Sequence, residues 1–404
     1  MSTKVLKERV QEYLDEIADR LIAISHDIHA NPELSFEEYR TMALLADTAA
    51  AHGFEVDRGI AGLPTAFVAT SQGEQPGPTI AFIAEYDALP ELGHACGHNI
   101  IGTAATGAAL ALQAIRAELP GTIKLIGTPA EERGGGKVIM VEHGVFDEID
   151  AAMMVHPGTK TMTTRGTLAS NKVDFEFFGQ SSHAAAAPDM GINALDACIL
   201  TFNNINALRQ HLTDDVRIHG IITDGGKAAN IVPDYASASF SVRAATSEKS
   251  FEVLKKVIRC AEAAAIATGA TVKAHHRTHY ANRIANPTMA QLFGENVTQL
   301  GEAVVEPEPN ERMGSSDMGN VSQHVPAIHP YLPIADVGTS AHTSAFAEAA
   351  VSARGDRALM RAAKAMAMTA VDLITQPALM DAVRRDFAAT VDLNAAWRKQ
   401  RFHS

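Results

Sequence analysis

"TIAFIAEYD" at residues 79–87, followed by "GHACGHN" at 93–99 and the small-residue run "IIGTAATGAALAL" at 100–112, is the stretch whose reading decides the fold. A short apolar run closed by acidic residues reads as a buried strand, and the alanine-rich segment, over about 99–118, reads as a closely packed helix. The texture repeats on either side. "TAFVAT" (65–70) precedes it, and "TIKLIGTPAEE" (122–132), a helical stretch near 137–145 and "AAMMVHP" (151–157) follow. Such alternation predicts an α/β fold, a mostly parallel sheet with helices on both faces. Ligands of such sheets gather at the carboxyl ends of the strands. Asp87, Glu131, Glu132 and His156 stand at those ends, which points to one shared site.

From about Ser170 the pattern changes. "NKVDFEFFGQ", "IHGIITDGG", "YASASFSVRA" and "TVKAHHRTHY" read as strands, with helical stretches over 192–211 and 248–268. Strands with two helices predict a smaller inserted α+β domain of roughly 110 residues. The expected boundaries are 1–169 and 282–404 for the main domain and 170–281 for the insert. The 404 residues are 46% hydrophobic and carry a net charge of −13 without a basic block, which argues against nucleic acid or an anionic membrane as partner. The three cysteines, Cys96, Cys198 and Cys260, are too few and too scattered for a disulfide framework. The N-terminal 29 residues repeat apolar positions at a helical period rather than as a leader's apolar run. No apolar stretch reaches the ~18 to 20 residues a spanning helix needs. The expectation is a cytoplasmic globular protein.

Cys96 and His98 put a sulfur and a nitrogen ligand on one short turn, a donor set suited to zinc and similar ions. Alone, that pair describes a buried cysteine beside a hydrogen-bonded histidine just as well. The adjacent Glu131 and Glu132 in "PAEERGGGK" alone describe a solvated turn. A metal hydrolase, however, needs one carboxylate on the ion and a neighbour off it to take a proton from water. A phosphate-loop reading of the glycines fails, because Glu131 occupies the first glycine position before Gly136-Lys137 and Val138 replaces Ser or Thr. His156 at a strand end and His342 in "GTSAHTSAF" are each unremarkable singly; together with the others they are not. His26, His52, His211, His219, His324 and His403 lack such placement, and Cys198 and Cys260 read as helix packing residues.

These residues resemble the dinuclear-metal amidohydrolases and peptidases that include aminoacylases, carboxypeptidase G and auxin-conjugate hydrolases. "HDIHANPELSFEE", "EYDALPELGHACGHN", "TPAEERGGG", "MMVHP", "GQSSHAAAAPDMGINALDA", "NIVPDYASASFSVRA" and "GSSDMGN" follow that family's order along nearly the whole chain. "ACGHN", "GSSDMGN" and "AIHPYLPI" are similar to the p-aminobenzoyl-glutamate and β-alanyl-dipeptide hydrolase subgroup. The resemblance implies metal ligands Cys96, His98, Glu132, His156 and His342, Glu131 as general base, and Asp87 supporting a ligand. Glu85 replaces the family's usual ligand histidine, and Asn99 replaces an aspartate. It further implies two divalent ions per subunit (zinc or manganese, or cobalt), ~3.5 to 4 Å apart, that polarise an amide and activate water. From the insert, it implies His183 as oxyanion donor reaching a partner subunit, Asn230 as a hydrogen-bonding group and Arg243 as a carboxylate fork, hence a homodimer through that lid. The implied function is amide hydrolysis of N-acyl amino acids or short dipeptides. The alternatives are a carbamoyl, ureido or amidine hydrolase of the same family, and a non-catalytic metal-binding homologue, against which the retained Glu131 argues.

Overall fold

Six of the seven residues of the strand Thr79–Glu85 are buried. Ile80, Phe82 and Ala84 face a core shared with Leu14, Leu21, Ala104, Ala108 and Leu359. Ala81 and Ile83 face a second core with Met140, Phe146, Met318 and Val321. A strand buried on both faces needs the continuous apolar run seen in its sequence. The computed structural model describes residues 1–308, 311, 313–393 and 395–399.

The sheet around this strand has the order Glu55–Arg58, Phe67–Gln72, Thr122–Thr128, Thr79–Glu85, Ala151–Met153, Ala327–Ile328. Its last four strands run parallel, while Glu55–Arg58 and Phe67–Gln72 join antiparallel at one edge. Helix His98–Ala114 packs on Thr79–Glu85 and is itself covered by Thr3–Glu16, Ala18–Ala30 and Ala353–Thr375. The close packing needs Gly102, where a Cβ would stand 2.9 Å from the carbonyl oxygen of Glu85. The chain beyond Asn282, whose texture reads as helix and loop, also supplies the edge strand Ala327–Ile328 and the strand Tyr331–Pro333. Two residues are too short a run to show a period.

The chain forms two compact units: Met1–Gly166 with Arg283–Asp392, and Thr167–Asn282 with the described residues from Leu393 onward. The second holds an antiparallel sheet of order Thr271–Tyr280, Ala169–Phe178, Tyr235–Ala244, Arg217–Asp224, on which helices Ala194–Leu208 and Ser247–Thr268 pack. The sequence boundaries assign everything after 282 to the main domain. The C-terminal residues depart from this, because Trp397 stacks at 6.3 Å on Phe251 and lies 5.2 Å from His279. His403 lies outside the described residues. Among those residues no helix is long and apolar enough to cross a membrane.

Candidate metal centre

Backbone turns, three of them in unusual conformations, deliver the candidate ligands. Gly97 has φ 77° and caps helix His98–Ala114. A Cβ there would meet the Pro157 ring at 2.7 Å, so the Cys96–His98 turn lies directly against the strand His156–Gly158. Ala130 (φ 59°) and His342 (φ 63°) adopt the left-handed region without being glycine. Such strain persists only where the surroundings hold it. The Ala130 N–H donates to Glu38 Oε1 at 2.9 Å, and the His342 N–H donates to the Ala95 carbonyl at 2.9 Å. These bonds aim Glu131, Glu132 and His342 at the Cys96 turn.

Ligand atoms of Cys96, His98 and His156 lie within 4.8 Å of one another, as do those of Cys96, Glu132 and His342, and those of His98, Glu131 and Glu132. Asp87 orients the set from behind. Its Oδ1 lies 3.2 Å and its carbonyl oxygen 2.8 Å from His98 Nδ1, while Oδ2 accepts from Ser35 Oγ at 2.8 Å and from the Glu132 N–H at 3.0 Å. With two acceptors beside it, Nδ1 carries a proton and Nε2 is the nitrogen turned to the cluster, the orientation a metal-ligating histidine needs. Burial would lower the ring's pKa, but Cys96 and Asp87 hold it well above its ordinary value, so a metal would take the place of the Nε2 proton. Burial alone would raise the Asp87 carboxyl, but His98, the Glu132 N–H and Ser35 together hold it at about 2.

The residues fit a divalent ion. His98 Nε2 and Glu132 Oε1 are buried without a hydrogen-bond partner, which costs free energy unless something else satisfies them. Burial pushes the Cys96 thiol up to about 12, against the pull of His98, and burial first, then the His98 charge, lowers His156 to about 3. A thiolate here needs an adjacent cation, and His156 is already the neutral imidazole a metal takes.

Sequence reasoning missed a buried ion group next to this cluster. Lys137 Nζ lies 2.5 Å from Glu85 Oε1 and 2.9 Å from Asp317 Oδ1, with all three side chains at most 1% exposed. The Lys137 N–H also donates to Asp317 Oδ2 at 3.0 Å. Glu85, Glu131 and Asp317 present carboxylate oxygens within 4.8 Å of one another. Burial, followed by the charges of Glu85, Asp317 and Glu132, raises the Glu131 carboxyl well above its ordinary value. That is the direction a carboxylate needs to act as a base near neutral pH.

A model of Peptidase family M20/M25/M40 matches residues 81–369, which contain all the candidate ligands, Asp87, Glu131 and the Lys137 ion group. The chain belongs to that family. The mouse protein named Xaa-Arg dipeptidase is 41% identical over 411 aligned residues, covering 95% of this chain and 92% of its own length. A p-aminobenzoyl-glutamate hydrolase chain of Escherichia coli K12 is 28% identical, covering 95% of this chain and 96% of its own. Among solved structures, the aminobenzoyl-glutamate utilization protein of Klebsiella pneumoniae matches with a TM-score of 0.72 at 22% identity, over 90% of this chain and 98% of that one. A dinuclear metal-binding peptidase of the M20 family from Bacillus subtilis matches with a TM-score of 0.67 at 23% identity, over 89% and 99%. This M20 peptidase is therefore an amide-bond hydrolase with a divalent-metal site.

In the second unit of the peptidase, Ser182–His183 pairs with Ile231–Val232, and the Ala184 N–H donates to the Asn230 carbonyl at 3.1 Å, so His183 and Asn230 share one ribbon. His183 Nδ1 accepts from the Ala185 and Ala186 N–H groups at 3.3 and 3.2 Å. Its proton therefore sits on Nε2, which is exposed and ready to donate. Arg243 stands apart. It lies at the far end of Tyr235–Ala244, opposite Arg217 and Ser170, ~26 Å along the strand from Tyr235 at ~3.3 Å per residue. Within this unit it does not join His183 and Asn230 around one small molecule.

Proposed function

We propose that this M20 peptidase hydrolyses the amide bond of short dipeptides or N-acyl amino acids with two divalent ions, zinc or manganese, held by Cys96, His98, Glu132, His156 and His342. The observation that supports it most is the convergence of those five side chains on one space with Glu131 beside them. When bound, such ions polarise the amide carbonyl and lower the pKa of a water. Glu131 takes that water's proton on its carboxylate and hands it to the leaving amine nitrogen. Asp87 holds the His98 ring by Nδ1, which leaves Nε2 as the nitrogen a metal would take. His183 donates from Nε2 to the carbonyl oxygen as negative charge develops there, with Asn230 as a neighbouring hydrogen-bond partner. The reading includes a homodimer in which His183 serves the partner subunit's site, and a cytoplasmic setting in which the free cysteines stay reduced. Arg243 as a carboxylate fork would have to serve a different place from His183.

The test is a substrate panel with the chain loaded with manganese, zinc or cobalt: Xaa-Arg and β-alanyl dipeptides, N-acyl amino acids, p-aminobenzoyl-glutamate and ureido acids. Dipeptide or N-acyl amino acid cleavage that disappears with chelator and returns with metal is the expected result. Cleavage of ureido acids alone would replace this reading with the carbamoyl one, and bound metal without any turnover would reduce the chain to a binding protein.

A further inference from the structure

The motif "NPELSFEE" at 31–38 supplies no ligand and no base, yet it contains a strained turn. The Glu37 N–H donates to the Leu34 carbonyl at 2.8 Å, and Phe36, the third residue of that turn, has φ 67°. This place in a turn ordinarily takes glycine or asparagine, and for a bulky side chain the left-handed region is an outlier. The turn is fixed from both sides. Leu34 bridges to Ala88, and the Ala88 N–H donates to the Glu33 carbonyl at 2.8 Å. Glu33 Oε1 and Oε2 accept from the Arg40 and Thr41 N–H groups, each at 2.8 Å.

What the turn touches is the loop of the two glutamates, which closes with the Gly135 N–H donating to the Ala130 carbonyl at 2.9 Å. Glu38 Oε1 accepts from the Ala130 N–H at the start of that loop. Ser35 Oγ donates to Asp87 Oδ2, the same oxygen that accepts from the Glu132 N–H at its middle. The Phe36 ring lies on Gly134 so closely that a Cβ there would stand 2.3 Å from its Cε2. The side chains of 35, 36 and 38 thus hold three points of one loop, two by hydrogen bonds and Phe36 by packing. Strain such as that at Phe36 persists only where the surroundings over-determine it, and it gathers at functional sites.

We propose that Phe36 is a positioning residue for the hydrolysis: its ring, turned onto Gly134 by the left-handed backbone, clamps the loop 130–135 and so fixes the direction of the Glu131 carboxylate. The inference rests on the reading of Glu131 as the base and adds the residue that aims it. Glycine at 36 would suit the turn better but would leave the loop uncovered at Gly134.

Turnover of the best substrate of the panel above, at saturating manganese, is compared in the wild type, Phe36→Gly, Phe36→Ala, Glu131→Gln and the double variant Phe36→Ala, Glu131→Gln. Glycine accepts φ 67° and alanine does not, so Phe36→Gly should melt later than Phe36→Ala. Both should nevertheless lose kcat by about tenfold or more, because misplacing a catalytic group by ~1 Å costs up to ~10²-fold. KM should stay within about twofold in both, since the base acts in the transition state. A ring that works through Glu131 has nothing left to aim once the base is gone, so Phe36→Ala should change the residual kcat of Glu131→Gln by less than about twofold. Wild-type kcat in either ringless variant, or losses that multiply in the double variant, would overturn the positioning role while leaving the base in place. If Glu131→Gln keeps full turnover, or no substrate is cleaved, the base reading fails instead, and hydrogen exchange of the metal-free chain decides the clamp. Phe36→Ala should then speed exchange of the Gly135 amide by about tenfold or more, with the amides of strand Thr122–Thr128 unchanged. Equal exchange at Gly135 in the two chains refutes the clamp.

Discussion

At the scale of single residues, the division of labour between two neighbouring glutamates is the sharpest consequence of the geometry. Both glutamates share a group with His98, but Glu132 also belongs with Cys96 and His342, whereas Glu131 also faces Glu85 and Asp317. Glu131→Gln should keep its metal, measured by elemental analysis, and lose turnover by ~10² or more, the scale of general-base catalysis. Loss of metal instead would mean that the two roles are exchanged. The ion group behind Glu131 gives a second expectation. Lys137→Met strands Glu85 and Asp317 as uncompensated buried carboxylates, and removing one partner of a buried pair costs about 3 to 5 kcal/mol. Denaturant unfolding should show that loss, and the triple variant Lys137→Met, Glu85→Gln, Asp317→Asn should recover part of it. Full additivity of the three losses would show that they do not act as one group. Asp87, Glu131, Glu132 and His156 were legible because each interrupts or ends an apolar run. Lys137 was not: in a glycine-rich run it reads as a surface or phosphate-loop lysine. Its partner Asp317 is 180 positions away in sequence, and no local pattern joins them.

At the scale of elements, the contact between helix His98–Ala114 and strand Thr79–Glu85 sets the site. The helix begins with the candidate ligand His98 and the strand leads to Asp87, so any change in their spacing separates the pair. Gly102→Ala places a Cβ 2.9 Å from the Glu85 carbonyl, a backbone atom, whereas Gly107→Ala meets the tip of Leu21 at 2.8 Å. Overpacking of this kind costs typically about 1 to 3 kcal/mol. Both variants should melt earlier, but only Gly102→Ala should weaken metal binding in a titration; equal metal affinity in the two would mean that the helix does not set the site. Both elements were readable from sequence, since buried parallel strands and small-residue helices have strong signatures. The turns were not, because alanine at 130 and histidine at 342 give no hint of a positive φ. Glu38, just before helix Tyr39–Ala51, holds the first of those turns. Burial, then the Asp87 charge, raises its carboxyl from 4.5 to about 7. The folded chain therefore holds a proton that the unfolded chain releases. Stability should fall as pH rises from about 4.5 to about 7, by at most about 3 kcal/mol. Melting of the metal-free chain at pH 5 and pH 8 should show a smaller fall in Glu38→Gln than in the wild type; equal falls would assign the dependence elsewhere.

At the scale of the whole molecule, the two units divide the chemistry. The first contains the candidate metal ligands and the proposed base; the second contains His183 and Asn230 on a short ribbon. The change of texture near Ser170 was visible because the insert's strands alternate, one face buried and one solvated, where the first unit's strands are apolar throughout. The return of the chain after Leu393 to the second unit was not visible, since it depends on Trp397 finding Phe251 and His279. His183, with its donor proton on Nε2, serves a partner subunit's site in the proposed homodimer, so catalysis depends on assembly. Glu131→Gln retains an intact His183, and His183→Ala retains an intact base and metal cluster. Mixed under conditions that exchange subunits, the two inactive variants should regain activity, because each mixed dimer pairs one intact cluster with its neighbour's intact donor. Random exchange of equal amounts makes half the dimers mixed, with one working site of two, so the plateau should approach about a quarter of wild-type activity. Exchange verified by mass, with activity still at the level of the parents, would place His183 in its own chain's site or in none.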